Sequence, residues 1–381
     1  MIFLKHREGM VAVLMFVVIA INSFRYIFKF GLQSSSSGYS NTPLEFWVIR
    51  YLLIGIILLI FVRAWKRIIL FEWMAFAVLL LSSIYALKIS EYTQVKIAAF
   101  HLCLAGFLFL AVRSMKDDVI SNYVGYFTKL LYVLLVLFFV FLALQIFLYF
   151  LFGNLPSHSY NNSIILRFGS VLDDSLAFGI LLPMFAGLLF YSLEDGFSRP
   201  VSMMSVILIA ILTGSLTAMA TTAIYTLWLV RLQRRNFALW FLLISLLLIS
   251  FHRYFFELWS AKSGSIALHL EGLKLLSGGF AEKSGGFAES GWILLLNNFG
   301  IFTLLVMLGF HLYIHLLCLR TIRSGYSYKQ YIGAVEGLNF SAFVASFNLP
   351  VLMIFPIYFL LAIFSAVLCG VAGNYDIRIK S

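Results

Sequence analysis

Apolar runs of about 17 to 22 residues follow one another along this chain with short polar connections between them, the length an α-helix needs to cross the hydrocarbon core of a membrane. Of the 381 residues, 62% are apolar and 11% charged, where a soluble domain has about half and about a quarter. A soluble enzyme and a disordered chain are both excluded. The 40 phenylalanines are spread over the whole length, which also excludes a soluble domain hung on a single anchor. The expected fold is an all-α polytopic membrane protein, a single integral membrane domain over residues 1–381.

Spans are expected near 10 to 30, 46 to 62, 68 to 87, 97 to 112, 130 to 152, 176 to 192, 202 to 214, 215 to 230, 236 to 252, 291 to 312, 331 to 347 and 350 to 372, about twelve in all. The seventh and eighth share only Thr213-Gly214-Ser215 as a turn, and the eleventh contains Glu336. Lys5-His6-Arg7 ahead of the apolar stretch from Met10 to Phe24 has the look of a secretory signal. It lacks a small-x-small cleavage site and many spans follow, so it reads as an uncleaved first helix.

The net charge of +11 is then topology evidence rather than a nucleic-acid footprint. With the N-terminus in the cytoplasm, alternate connections carry Arg63 with Lys66 and Arg67, Arg113 with Lys116, Arg199, Arg231 with Arg234 and Arg235, Arg320 with Arg323 and Lys329, and Arg378 with Lys380. With Lys5, Arg7 and Lys129 added, that places about 17 basic residues inside against about 10 elsewhere, the bias expected of cytoplasmic loops. The opposite face receives residues 31 to 45, 153 to 175 and 252 to 290. The first, with Ser34 to Ser37 in a row before Gly38, reads as a flexible turn. Connections longer than about 15 residues are commonly functional, so the chemistry is sought in the other two. Cys103, Cys318 and Cys369 all lie in or at the end of apolar runs, so no disulfide framework is indicated.

The 153–175 loop carries Arg167 as its only basic residue, followed by Asp173-Asp174-Ser175 just ahead of a span. A guanidinium at the membrane boundary suits a diphosphate, because its planar fork makes bidentate charge-assisted bonds and does not deprotonate. An ion pair with Asp173 or Asp174, or contact with lipid headgroups, would explain the same residue. The two aspartates in turn suit the positive end of the following helix better than a metal site, since adjacent carboxylates in a loop point apart.

The 252–290 loop is richer, with Arg253, Lys262, His269, Lys274, Glu282 and Glu289 among its polar residues. Residues 264–276 alternate at helical spacing and read as a short amphipathic helix on the membrane surface. After it, Ser277–Lys283 and Ser284–Ser290 form a tandem seven-residue repeat that makes Glu282 and Glu289 local equivalents. It is not a phosphate-binding loop, which needs a Gly-Lys-Ser/Thr ending. Glu289, beside the next span, is placed to act as a general base toward a sugar hydroxyl, or simply to begin a helix with Ser290 as its N-cap. Within the membrane, Arg50, Glu72, Glu336 and Asn339 are costly to bury and therefore functional suspects, with Arg50 and Glu72 placed to pair.

Three places together resemble the bacterial O-antigen and exopolysaccharide polymerases of the Wzy type, relatives of the O-antigen ligases. They are Arg167-Phe168-Gly169 with Asp173-Asp174-Ser175, the short turn Thr213-Gly214-Ser215-Leu216-Thr217-Ala218, and Glu289-Ser290 leading to Gly300-Ile301. The resemblance implies a GT-C-like ligase/polymerase architecture in the bacterial inner membrane, with 153–175 and 252–290 as periplasmic loops forming the active site. It implies polymerisation of undecaprenyl-diphosphate-linked oligosaccharide units, with a chain-length regulator and a flippase as partners besides the bilayer. By the same resemblance Arg167 would hold the diphosphate and Glu289 would be the base, with His269 a second candidate for its titration range. Ligases place a second arginine in the long loop; here Arg253, Lys262 or Lys274 would have to serve, with Asp173 near Arg167. No cofactor is implied, and no metal, since no spaced Asp-x-Asp occurs in an outer loop. A ligase-like glycosyltransferase and a lipid-linked oligosaccharide flippase are the alternatives; a flippase needs cations spread through several spans, whereas most here lie in connections.

Overall fold

Backbone N–H and C=O groups have no water to pair with inside a bilayer, so an apolar run of this length satisfies them by closing its own helix. A computed structural model shows that outcome in most of the residues it describes, which are 70–90, 93–114, 117–152, 158–160, 163–165, 175–193, 198–231, 290–324, 328–347, 351 and 357–380, with isolated helical positions between 242 and 260. Among them are ten helices: α1 (Leu70–Ile89), α2 (Thr93–Arg113), α3 (Asp117–Phe152), α4 (Ser175–Ser192), α5 (Ser198–Leu212), α6 (Leu216–Arg231), α7 (Gly291–Phe299), α8 (Ile301–Arg323), α9 (Lys329–Ala345) and α10 (Ile357–Lys380). Four segments are long and apolar enough to cross a membrane: Leu70–Ile89, Val95–Arg113, Val124–Phe147 and Ile301–Arg323. Their outward faces are apolar, with Phe71, Met74 and Leu81 on α1, Val136 and Val140 on α3, and Phe302, Leu305 and Leu316 on α8 all exposed. Surfaces of that kind are at home against lipid and rare on soluble proteins. The expected spans near 10 to 30, 46 to 62 and 236 to 252, the amphipathic helix at 264–276 and the tandem repeat fall outside the described residues or almost wholly so.

The centre of the bundle is α9, buried along most of its length and packed most extensively against α4. Two rows of small residues make this possible. On α9, Gly333, Gly337 and Ser341 recur every four residues; on α4, Gly179, Pro183 and Gly187 do the same. The rows meet antiparallel, since a Cβ built on Gly187 would stand 2.0 Å from the Gly333 carbonyl oxygen and one on Gly337 would stand 2.1 Å from that of Pro183. Farther along, the Ser341 hydroxyl donates to the Ile180 carbonyl at 2.6 Å. Lipid tails compete with apolar side chains for contact, so close backbone approach and such hydrogen bonds are what select one neighbour over another. Pro183 removes an N–H inside α4, a loss that neighbouring helices tolerate in this setting.

One expectation is corrected. The apolar run near 291 to 312 is not one span, because it breaks at Gly300, whose φ of 86° and ψ of 168° lie where only glycine is at ease. The nine residues of α7 fold back along α8, which brings the Trp292 ring 5.7 Å from that of His311. Hydropathy is uniform across 291–312 and does not register a change in one residue's dihedral. A Cβ at Gly300 would meet nothing within 4 Å, so Gly300→Ala is expected to cost only the backbone strain, about 1 to 3 kcal/mol. A thermal unfolding midpoint in detergent would measure it, and an unchanged midpoint would contradict the strain. Glu72 pairs with Arg113 at 3.0 Å, and its expected pairing with Arg50 lies outside the described residues. The antiparallel packing of α1 on α2 sets the first turn of one beside the last turn of the other.

Between α3 and α4 lies a small antiparallel hairpin, β1 (His158–Tyr160) with β2 (Ser163–Ile165), in the register His158 to Ile165, Ser159 to Ile164 and Tyr160 to Ser163. The residues joining the strands are Asn161 and Asn162, a residue type suited to tight hairpin turns. It gives the 153–175 connection local order immediately before Arg167.

Candidate functional site

The seven residues expected to carry chemistry, Arg167, Asp173, Arg253, Lys262, His269, Lys274 and Glu289, lie outside the described residues. What is described are the points where their loops join the bundle. The first loop delivers the chain to α4 at Ser175. The second ends at Ser290, which sits at the N-cap position of α7 with extended backbone, φ −79° and ψ 129°. Its hydroxyl does not cap the helix as the sequence suggests; it donates to the Ser346 carbonyl at 3.2 Å, and the Trp292 N–H donates to the same oxygen at 3.2 Å. Ser346 closes the C-terminal end of α9. Because α4 and α9 run antiparallel, the start of α4 and the end of α9 share one end of the bundle. Ser175, where the first connection joins the bundle, and Ser290, where the second does, therefore stand at that common end.

Beneath that anchor is a buried polar cluster. The Ser346 hydroxyl donates to the Ala342 carbonyl at 2.7 Å and lies 3.5 Å from the Tyr358 hydroxyl. Tyr358 is 3.2 Å from His311 Nε2, and His311 Nδ1 is 2.8 Å from Asn339 Oδ1. Asn339 Nδ2 donates to the His311 carbonyl at 3.0 Å, which turns its Oδ1 toward the ring. A carbonyl oxygen only accepts, so Nδ1 carries the proton and Nε2 accepts from the tyrosine. Trp292, Phe310 and Phe343 close around the imidazole edge-on, with centroids between 5.7 and 5.8 Å away.

One helical turn farther along α8, His315 Nδ1 lies 3.2 Å from Glu336 Oε1. His311 and His315 are four residues apart on α8, while Asn339 and Glu336 are three apart on α9, so both pairs face each other across one seam. Sequence reasoning singled out Glu336 and Asn339 but neither histidine. The available signal was the i, i+4 spacing of two histidines within an apolar run. Among the described residues no group of three or more His, Cys, Asp or Glu side chains is arranged to hold a metal ion.

Compared with known proteins, the chain matches no family model and no curated sequence.

Proposed function

We propose that this chain is a polytopic membrane glycosyltransferase that joins undecaprenyl-diphosphate-linked oligosaccharide units into O-antigen or exopolysaccharide. Its about twelve spans would take a GT-C-like arrangement in a bacterial inner membrane, with the active site on the periplasmic side. The observation that carries the reading is the shared end of α4 and α9, where the 153–175 connection joins the bundle at Ser175 and the 252–290 connection joins it at Ser290. The reaction needs two things there: positive charge for the leaving lipid diphosphate, and a base for the attacking sugar hydroxyl. Arg167 holds the diphosphate in a bidentate clasp, with Arg253, Lys262 or Lys274 adding charge and Asp173 orienting the guanidinium. Glu289 takes the hydroxyl proton as the oxygen attacks the anomeric carbon and the bond to the diphosphate breaks; His269 is the alternative base.

Purified protein reconstituted with lipid-linked repeat units tests this. Elongated glycan is the expected product, whereas transfer of units across the vesicle without elongation would replace this reading with a flippase. Cells carrying Arg167→Ala are expected to make glycan of a single repeat unit, and wild-type chain lengths from a well-expressed variant would remove Arg167 from the role. Glu289→Gln should slow elongation by about 10² to 10⁴, the usual contribution of a positioned base.

A further inference from the structure

We propose that the Glu336–His315 pair is a proton-binding site inside the bundle, carrying one proton in the folded protein. The site is independent of the polymerase reading and goes beyond it. The Glu336 side chain is 1% exposed and its His315 partner 37%. Neither carboxylate oxygen receives a hydrogen bond of good geometry; the 3.2 Å approach of His315 Nδ1 is an ion-pair distance.

The titratable groups facing the carboxyl come from each helix packed on α9. On α4 it is Tyr191, whose buried hydroxyl has no hydrogen-bond partner. On α6 it is Tyr225, whose hydroxyl donates to the Gly333 carbonyl at 3.0 Å, and on α8, besides His315, it is the Cys318 thiol. Beyond Cys318 stands Cys369 of α10, and α3 carries Tyr132, engaged with Ser192. Arg199, at the start of α5, reaches Tyr191 but is spent on the Leu193 carbonyl and on the Phe190 ring 4.7 Å away. Among the described residues, the group that stands at ion-pair distance from Glu336 and is able to carry positive charge is thus His315.

Charge accounting follows from these neighbours. With no proton on the pair, a net negative charge lies in a low-dielectric interior without a counter-charge, an arrangement several times costlier than a neutral one. One proton makes the pair neutral, whether it rests on the imidazole or on the carboxyl.

The test unfolds wild type and E336Q in dilute buffer with an indicator dye at neutral pH. Wild type is expected to release about one proton more, because the freed pair becomes a carboxylate and a mostly neutral imidazole. The folded state then binds more protons than the unfolded state, so from mildly acidic to alkaline pH the wild-type thermal midpoint should fall more steeply than that of E336Q. Equal proton release and parallel pH profiles would overturn the proposal. If E336Q does not fold, infrared spectra of the wild type alone decide: a protonated carboxyl or imidazolium band at neutral pH supports the site, and the absence of both overturns it. Stabilisation of the wild type by sodium over potassium would also overturn it, in favour of a metal cation.

Discussion

Gly187→Leu is expected to prevent α4 and α9 from docking and so to leave little monodisperse protein in detergent. Even the single methyl of alanine would stand 2.0 Å from the oxygen and 2.4 Å from the carbon of the Gly333 carbonyl, with the Tyr225 hydroxyl at 2.9 Å. The obstacle is backbone, which cannot rotate aside as a side chain does. The opposing side is equally closed, because a Cβ on Gly333 would meet the Tyr191 ring at 2.4 Å. Gly187→Ala should therefore fall at or beyond the upper end of overpacking penalties, about 3 kcal/mol. Gly309, on α8, is the matched control: a Cβ there meets nothing within 4 Å, and Gly309→Ala should leave the midpoint unchanged or raise it. A Gly187→Ala protein as stable as wild type would show that the rows do not touch.

His311→Leu is the second large effect. The substitution leaves Asn339 Oδ1 and the Tyr358 hydroxyl without their ring partners in an enclosed site, each orphan costing about 1 to 3 kcal/mol. Asn339→Leu is expected to cost a similar amount by stranding the N–H at His311 Nδ1. Since the two residues form one unit, the double variant His311→Leu/Asn339→Leu should be less destabilised than the two single losses added together. Strict additivity in thermal or denaturant unfolding would mean that the hydrogen bonds do not couple them.

The helices that sequence reads well are those whose hydropathy and chemistry agree. The turn at Thr213-Gly214-Ser215 falls between α5 and α6 as expected, with Gly214 at a φ of 61°. Where the two disagree, hydropathy misplaces the boundary: α3 continues back from the apolar run to Asp117 through residues of mixed polarity, because helix formation does not require that a turn be apolar. The run after Ser290 illustrates the opposite error, an apolar stretch that contains a break. Pairings are harder still. Sequence order does not say which spans touch: that Arg113 reaches Glu72, 41 residues away, depends on the packing of α1 on α2. For the candidate site, Glu336 and Asn339 were legible as expensive polar groups in an apolar run. Their partners were not, since a histidine such as His311 or His315 looks alike in sequence whether it lies against lipid or against a carboxyl on another helix.

The return of α7 along α8 has a consequence for hydration. Trp292 stands at the start of α7, and its ring, with those of Phe343 and Phe347 around it, covers His311 on that side. The short helix α7 thus supplies the stopper for the interior polar groups. Substitutions that loosen Ser290 or Trp292 would wet the imidazole without touching any residue that contacts it from within the bundle.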